Sequence, residues 1–246
     1  MATALTSSGL VARNRLIVSF SAVCVAGVSW SVMIAGHTLL HPGGGLGAPS
    51  ALAAAFAMWM VMMVAMMLPA VMPWILLFSS TSASRGSSLG STALFTGGYF
   101  AVWAVFSAVA ATVQLTLQRG AWLTGHDPRS GPILGGALLI GAGLFQLTPL
   151  KSACLAHCRS PLSFFLARWQ DGPSGALRMG TRHGLYCLVC CWALMSLSFA
   201  LGVMNLLWMA VLTLMLCLEK IAPGGHVFSR VFGGALTVWG VWLIST

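Results

Sequence analysis

The sulfur and imidazole groups of this chain concentrate in two short segments, Cys154-Leu155-Ala156-His157-Cys158 and His183-Gly184-Leu185-Tyr186-Cys187-Leu188-Val189-Cys190-Cys191. Thiolates and imidazoles are the ligands of soft or borderline metals, notably Cu(I) and Zn(II), whereas Mg and Ca prefer oxygen. With only 3 Asp and Glu in 246 residues, a hard-cation site has too few ligands to draw on. At 100° per residue, His183, Cys187 and Cys190 fall within about 60° of one another on a helix, and Cys191 widens the arc to about 100°. If the first segment is also helical, Cys154 and Cys158 are four residues apart and their thiols can close on one ion. The candidate metal ligands are therefore Cys154, His157, Cys158, His183, Cys187, Cys190 and Cys191. Taken singly, Cys24 and Cys217 read as small buried hydrophobes, and His126 and His226 as loop or interfacial residues.

Methionine adds a second soft-ligand signal. Met58, Met60, Met62, Met63, Met66, Met67 and Met72 crowd one apolar run. A thioether holds Cu(I) without deprotonation, which suits transient binding, and Met62 and Met66 are the candidates for it. The competing role is flexible packing, because seven such side chains spread over more than half of a helix. Pro69 and Pro73 follow at once and free the carbonyls of Ala65 and Pro69, which predicts a break in the helix. Met204, Met215 and Glu219 share a face of about 60°; Glu219 is expected to pair at the surface with Lys220 or a neighbouring loop, or to touch a metal.

Apolar runs must position these groups. The chain is 58% hydrophobic and only 6% charged, with a mean hydropathy of +0.92, far from the roughly 25% charged content of a soluble domain. Seven runs are expected as membrane-spanning helices: 16–36, 52–78, 92–117, 133–147, 184–201, 205–218 and 227–244. The alternation of a transmembrane barrel is absent. The first run, although preceded by Arg13 and Arg15, exceeds a signal-peptide core and reads as an anchor. The class expected is all-α, one polytopic domain over 1–246 with about seven spans.

The basic residues lie between the runs, as orientation signals and not as a nucleic-acid patch. Arg13, Arg15, Arg85, Lys151, Arg159, Arg168, Arg178, Arg182, Lys220 and Arg230 fall on one side and only Arg119 and Arg129 on the other. By the positive-inside rule the N-terminus is cytoplasmic, and so is the segment 150–183, a loop carrying a short interfacial helix over Pro161–Trp169. Both thiol segments then occupy the same leaflet, although 25 residues separate Cys158 from His183.

Four ordered motifs carry a resemblance. Met58-Trp59-x-x-Met62-Met63-x-Ala65-Met66-Met67-Leu68-Pro69, Thr148-Pro149-Leu150-Lys151-x-x-Cys154-Leu155-x-x-Cys158-Arg159-Ser160-Pro161, His183-Gly184-x-Tyr186-Cys187-x-x-Cys190-Cys191-Trp192 and Gly202-Val203-Met204-Asn205-x-x-Trp208-Met209 together resemble the bacterial predicted metal-binding integral membrane proteins, a domain-of-unknown-function family. The likeness covers about residues 55 to 220. Val189 stands where glycine is expected, which spares every candidate ligand. The resemblance implies metal binding in a bacterial inner membrane and brings no established reaction.

The leading expectation is a lipid-embedded Cu(I)-handling protein, not an enzyme, that moves the ion or holds it for a metal donor or acceptor protein. Zn is the alternative ion. His37 and His41, the methionines and the thiols form successive sites in that reading. A membrane thiol oxidoreductase using Cys187-x-x-Cys190 is the runner-up, set against the scarcity of stable cytoplasmic disulfides. An assembly subunit with a structural metal is the third.

Overall fold

The computed structural model describes residues 2–39, 48–119, 130–202 and 205–245 and contains ten helices and no strand among them. The seven apolar runs lie on α1 (Ala2–Leu39), α2 (Ala48–Ser84), α3 (Leu89–Arg119), α4 (Ser130–Gln146), α7 (Gly172–Ser196) with α8 (Ser198–Leu201), α9 (Leu206–Ile221) and α10 (Gly225–Ser245). Two short helices, α5 (Pro149–Cys158) and α6 (Pro161–Arg168), fill the interval between α4 and α7. Five helices are long and apolar enough to cross a membrane, or six if α4 and α5, bent by 67° at their junction, form one broken span. At 16 residues, α9 reaches only about 24 Å, so the seven runs do not each become a full-length span. The outward faces are apolar: Leu16, Phe20, Val105, Val231 and Val238 are all exposed.

Two local expectations are corrected. The prolines do not break α2, which continues helically through Pro69 and Pro73. Residues 150–183 are not a loop but helix almost throughout, and the expected short helix at Pro161 is α6 within it. The reason lies in α7. Its first three turns are polar enough to be taken for loop, yet Ala176, Met179, Gly180, His183 and Cys187 are buried at the 3–4 spacing of a helix face.

Turn chemistry fixes the junctions that matter to the site. The Thr148 side chain accepts a hydrogen bond from the Lys151 backbone N–H at 3.2 Å, and Pro149 occupies the first turn of α5. This N-cap starts a new helix at a new angle immediately after α4. At the start of α9 the Asn205 side chain caps the N–H of Trp208. Gly86, at φ 75°, reverses the chain between α2 and α3 in the left-handed conformation that glycine adopts without strain.

Helices α3 and α7 approach each other through missing side chains. A Cβ built on Gly180 would overlap the carbonyl of Phe95, and one on Gly98 would overlap the carbonyl of Leu177. This proximity carries Tyr99 of α3 onto Cys187 of α7. Gly180→Ala should therefore destabilise the detergent-purified protein by about 1–3 kcal/mol, the usual cost of overpacking, as a lowered unfolding midpoint. Gly97→Ala, on the same stretch of α3 with open space at its Cβ, should not. Equal midpoints for the two would contradict the close packing.

Candidate metal centre

Three sulfurs of α7 meet in the interior. The Sγ atoms of Cys187, Cys190 and Cys191 lie within 4.8 Å of one another, and all three residues are buried. The spacing explains it: positions 187, 190 and 191 occupy one face of a single helix. Cys158, at the end of α5, adds a fourth sulfur 3.7 Å from Cys190 Sγ. It is held there partly by Trp74 of α2, whose indole N–H donates to the Cys158 carbonyl at 2.8 Å. All cysteines of the chain are free thiols.

The expected ligands do not all converge. Cys154 is half-buried and stands outside the α7 sulfur group; His157 is exposed, its ring stacked on Tyr186 at 4.8 Å. One turn before Cys187, His183 is buried between aromatic rings, with centroids 3.6 Å from Trp74 and 5.4 Å from Tyr99. Its Nδ1 has no hydrogen-bond partner. Met62 and Met66 are fully enclosed in the apolar core; the groove beside α2 is lined instead by Met60, Val64 and Leu68. His41, Met204 and the side chain of His37 lie outside the described residues.

Charged partners complete the site. The Lys220 ammonium lies 3.0 Å from Cys187 Sγ, and the Tyr99 hydroxyl also lies 3.0 Å from it. Glu219 does not pair with Lys220 at the surface as expected. It is fully buried and binds Lys151 at 2.8 Å, because the 67° bend at the start of α5 turns Lys151 inward. The same ammonium donates to the Cys190 carbonyl at 2.7 Å. The second carboxylate oxygen accepts from Gln146 at 2.8 Å, and Gln146 in turn accepts from Ser229 at 3.3 Å. Side chains from α4, α5, α9 and α10 thus form one hydrogen-bonded chain that ends on the backbone of Cys190. Arg159 fastens the far end of α9 by donating to the carbonyls of Glu219 and Ala222, the C-terminal placement that a helix dipole favours for a cation.

Cysteine side chains gathered without disulfides, beside a buried cation, are a donor set that could hold a soft metal. The sequence model of the PpoB2 family, described as copper chaperone, matches residues 56–243. The chain belongs to this copper chaperone family. The match runs from α2 to α10 and includes every residue of the sulfur cluster and its charged partners. No curated protein and no solved structure matches the chain.

Lys151, Lys220 and Tyr99 are the site residues that sequence reasoning missed. Both lysines had the appearance of headgroup anchors in the positive-inside count, yet Lys151 is 1% and Lys220 9% exposed. A partial signal did exist for the lysines: each lies within four residues of the end of an apolar run.

A buried ion pair is costly to break because one charge remains without its partner, at about 3–5 kcal/mol. Lys151→Met should destabilise the fold by an energy of that order, seen as a lowered unfolding midpoint, and adding Glu219→Gln should recover much of the loss. Thermal unfolding of the two single variants and the double checks this. Additive losses would mean that the pair does not couple α5 to α9.

Proposed function

We propose that this copper chaperone family member holds Cu(I) on the sulfurs of Cys158, Cys187, Cys190 and Cys191, within a membrane, and delivers it to an acceptor protein. One observation carries the reading: three α7 sulfurs lie within 4.8 Å of one another with a fourth 3.7 Å from Cys190. Thiolates select Cu(I) over harder ions, and the family description names copper. Two thiolates around Cu(I) leave one negative charge, which the Lys220 ammonium, 3.0 Å from Cys187 Sγ, offsets in an apolar interior.

Delivery suits the site better than a continuous channel, since Met62 and Met66 are enclosed among core residues and here serve as packing. Holding also suits it better than thiol redox chemistry. The family description names copper, and the Lys220 ammonium beside Cys187 suits a bound anionic copper–thiolate centre. His183 supports the cluster from its aromatic slot. The apolar exterior favours a bilayer as the surrounding medium, and the arginine bias favours an orientation with the N-terminus and the cluster toward the cytoplasm.

The test is copper retention. Full-length protein in detergent, loaded with Cu(I) under reducing conditions, should keep copper through desalting. Cys187→Ser with Cys190→Ser should lose it, with affinity at least about tenfold weaker, while Met62→Leu with Met66→Leu should keep it and remain folded. Undiminished copper in the double-serine variant would refute the assignment.

A further inference from the structure

The sulfur cluster is sealed: Cys158 is 4% exposed and the three α7 cysteines at most 1%. No carrier reaches these atoms directly, so an ion that is delivered must pass over other side chains. Two candidate side chains stand outside the cluster on α5. Cys158 is buried, Cys154 half-buried and His157 exposed, and at 100° per residue they follow one another around the helix at intervals of about 40° and 60°.

His157 is oriented as a metal-binding imidazole is. Its Nδ1 lies 3.0 Å from the Ala153 carbonyl. A carbonyl only accepts, so in the neutral ring Nδ1 carries the proton and Nε2 keeps its lone pair; ligating histidines are held in this way, one ring N–H on a carbonyl and the other nitrogen on the ion. Its ring lies nearly parallel to Tyr186, at 14°. On α7 Tyr186 is one turn before Cys190, and on α5 His157 is the neighbour of Cys158. The seam between α5 and α7 therefore has two rungs, His157 with Tyr186 at the surface and Cys158 with Cys190 inside.

The geometry points to His157 and Cys154 as a relay by which Cu(I) reaches and leaves the buried cluster, in the order His157, Cys154, Cys158, Cys190. The relay rests on the copper-holding reading above and adds the route. Each step is ligand exchange without redox change. One bond to the ion forms as another breaks; a thiol that takes the ion releases its proton, and a thiolate that gives it up takes one.

Rate and capacity separate the possibilities. Full-length protein in detergent is mixed anaerobically with the Cu(I)–bicinchoninate complex, and loss of the chelate colour is followed together with final copper per chain. Cys154→Ser with His157→Ala should load about tenfold more slowly, as expected when a contact of a metal site is lost, and should reach the wild-type copper content. Ala156→Ser, exposed on the same helix, controls for surface change and should load at the wild-type rate. An unchanged rate in the double variant would overturn the relay; so would a reduced final content, which would make these residues ligands of the store itself. A wild-type chain that takes up no copper would instead overturn the copper-holding reading.

Discussion

Charges buried in an apolar bundle have to be matched where they lie, because removing an ion from water costs several kcal/mol even after relaxation. Lys151, Glu219 and Lys220 impose that constraint here. Lys151 and Glu219 satisfy each other at 2.8 Å, and the remaining capacity of the pair is taken up by Gln146 and by the Cys190 carbonyl. Lys220 has a sulfur, Cys187 Sγ, in front of it. The helices that supply these groups cannot rotate or slide without leaving a charge stranded, so the ion pairing fixes the register of α5, α7 and α9, and with it the positions of the sulfurs.

Around this polar knot the bundle is held by shape. Trp74 spans from the Cys158 carbonyl to the face of His183, and the glycine contact between α3 and α7 sets Tyr99 against Cys187. A thiol cluster packed on all sides is a preorganised site. Enclosed in this way, its sulfurs are kept from water. A soft-ligand cluster of this kind accords with the chain's membership of the copper chaperone family.

Much of this was legible in the residues alone. The helical class follows from apolar runs, and the face shared by Cys187, Cys190 and Cys191 follows from the 100° step of a helix. What spacing does not carry is the angle between helices. Cys154 and Cys158 share a face of α5 by any periodicity argument, but the bend after Gln146 decides that one is buried and the other sits at the rim. The same bend turns Lys151 from an apparent headgroup anchor into the partner of Glu219. The polar first turns of α7 were hidden for a related reason: their buried stripe of Ala176, Met179, Gly180 and His183 is composed of small and polar residues that hydropathy does not distinguish from loop. Pro69 and Pro73 carried a strong local signal, yet α2, packed against α1 and α3, stays helical through both.

Coordination of the ion by sulfur alone, as proposed for Cys158, Cys187, Cys190 and Cys191, is read out by X-ray absorption at the copper K-edge of the loaded full-length protein. The expected spectrum is that of Cu(I) with a first shell of sulfur at about 2.3 Å, the ordinary metal–thiolate length. A first shell of nitrogen or oxygen near 2.0 Å would contradict the thiol cluster as the copper site.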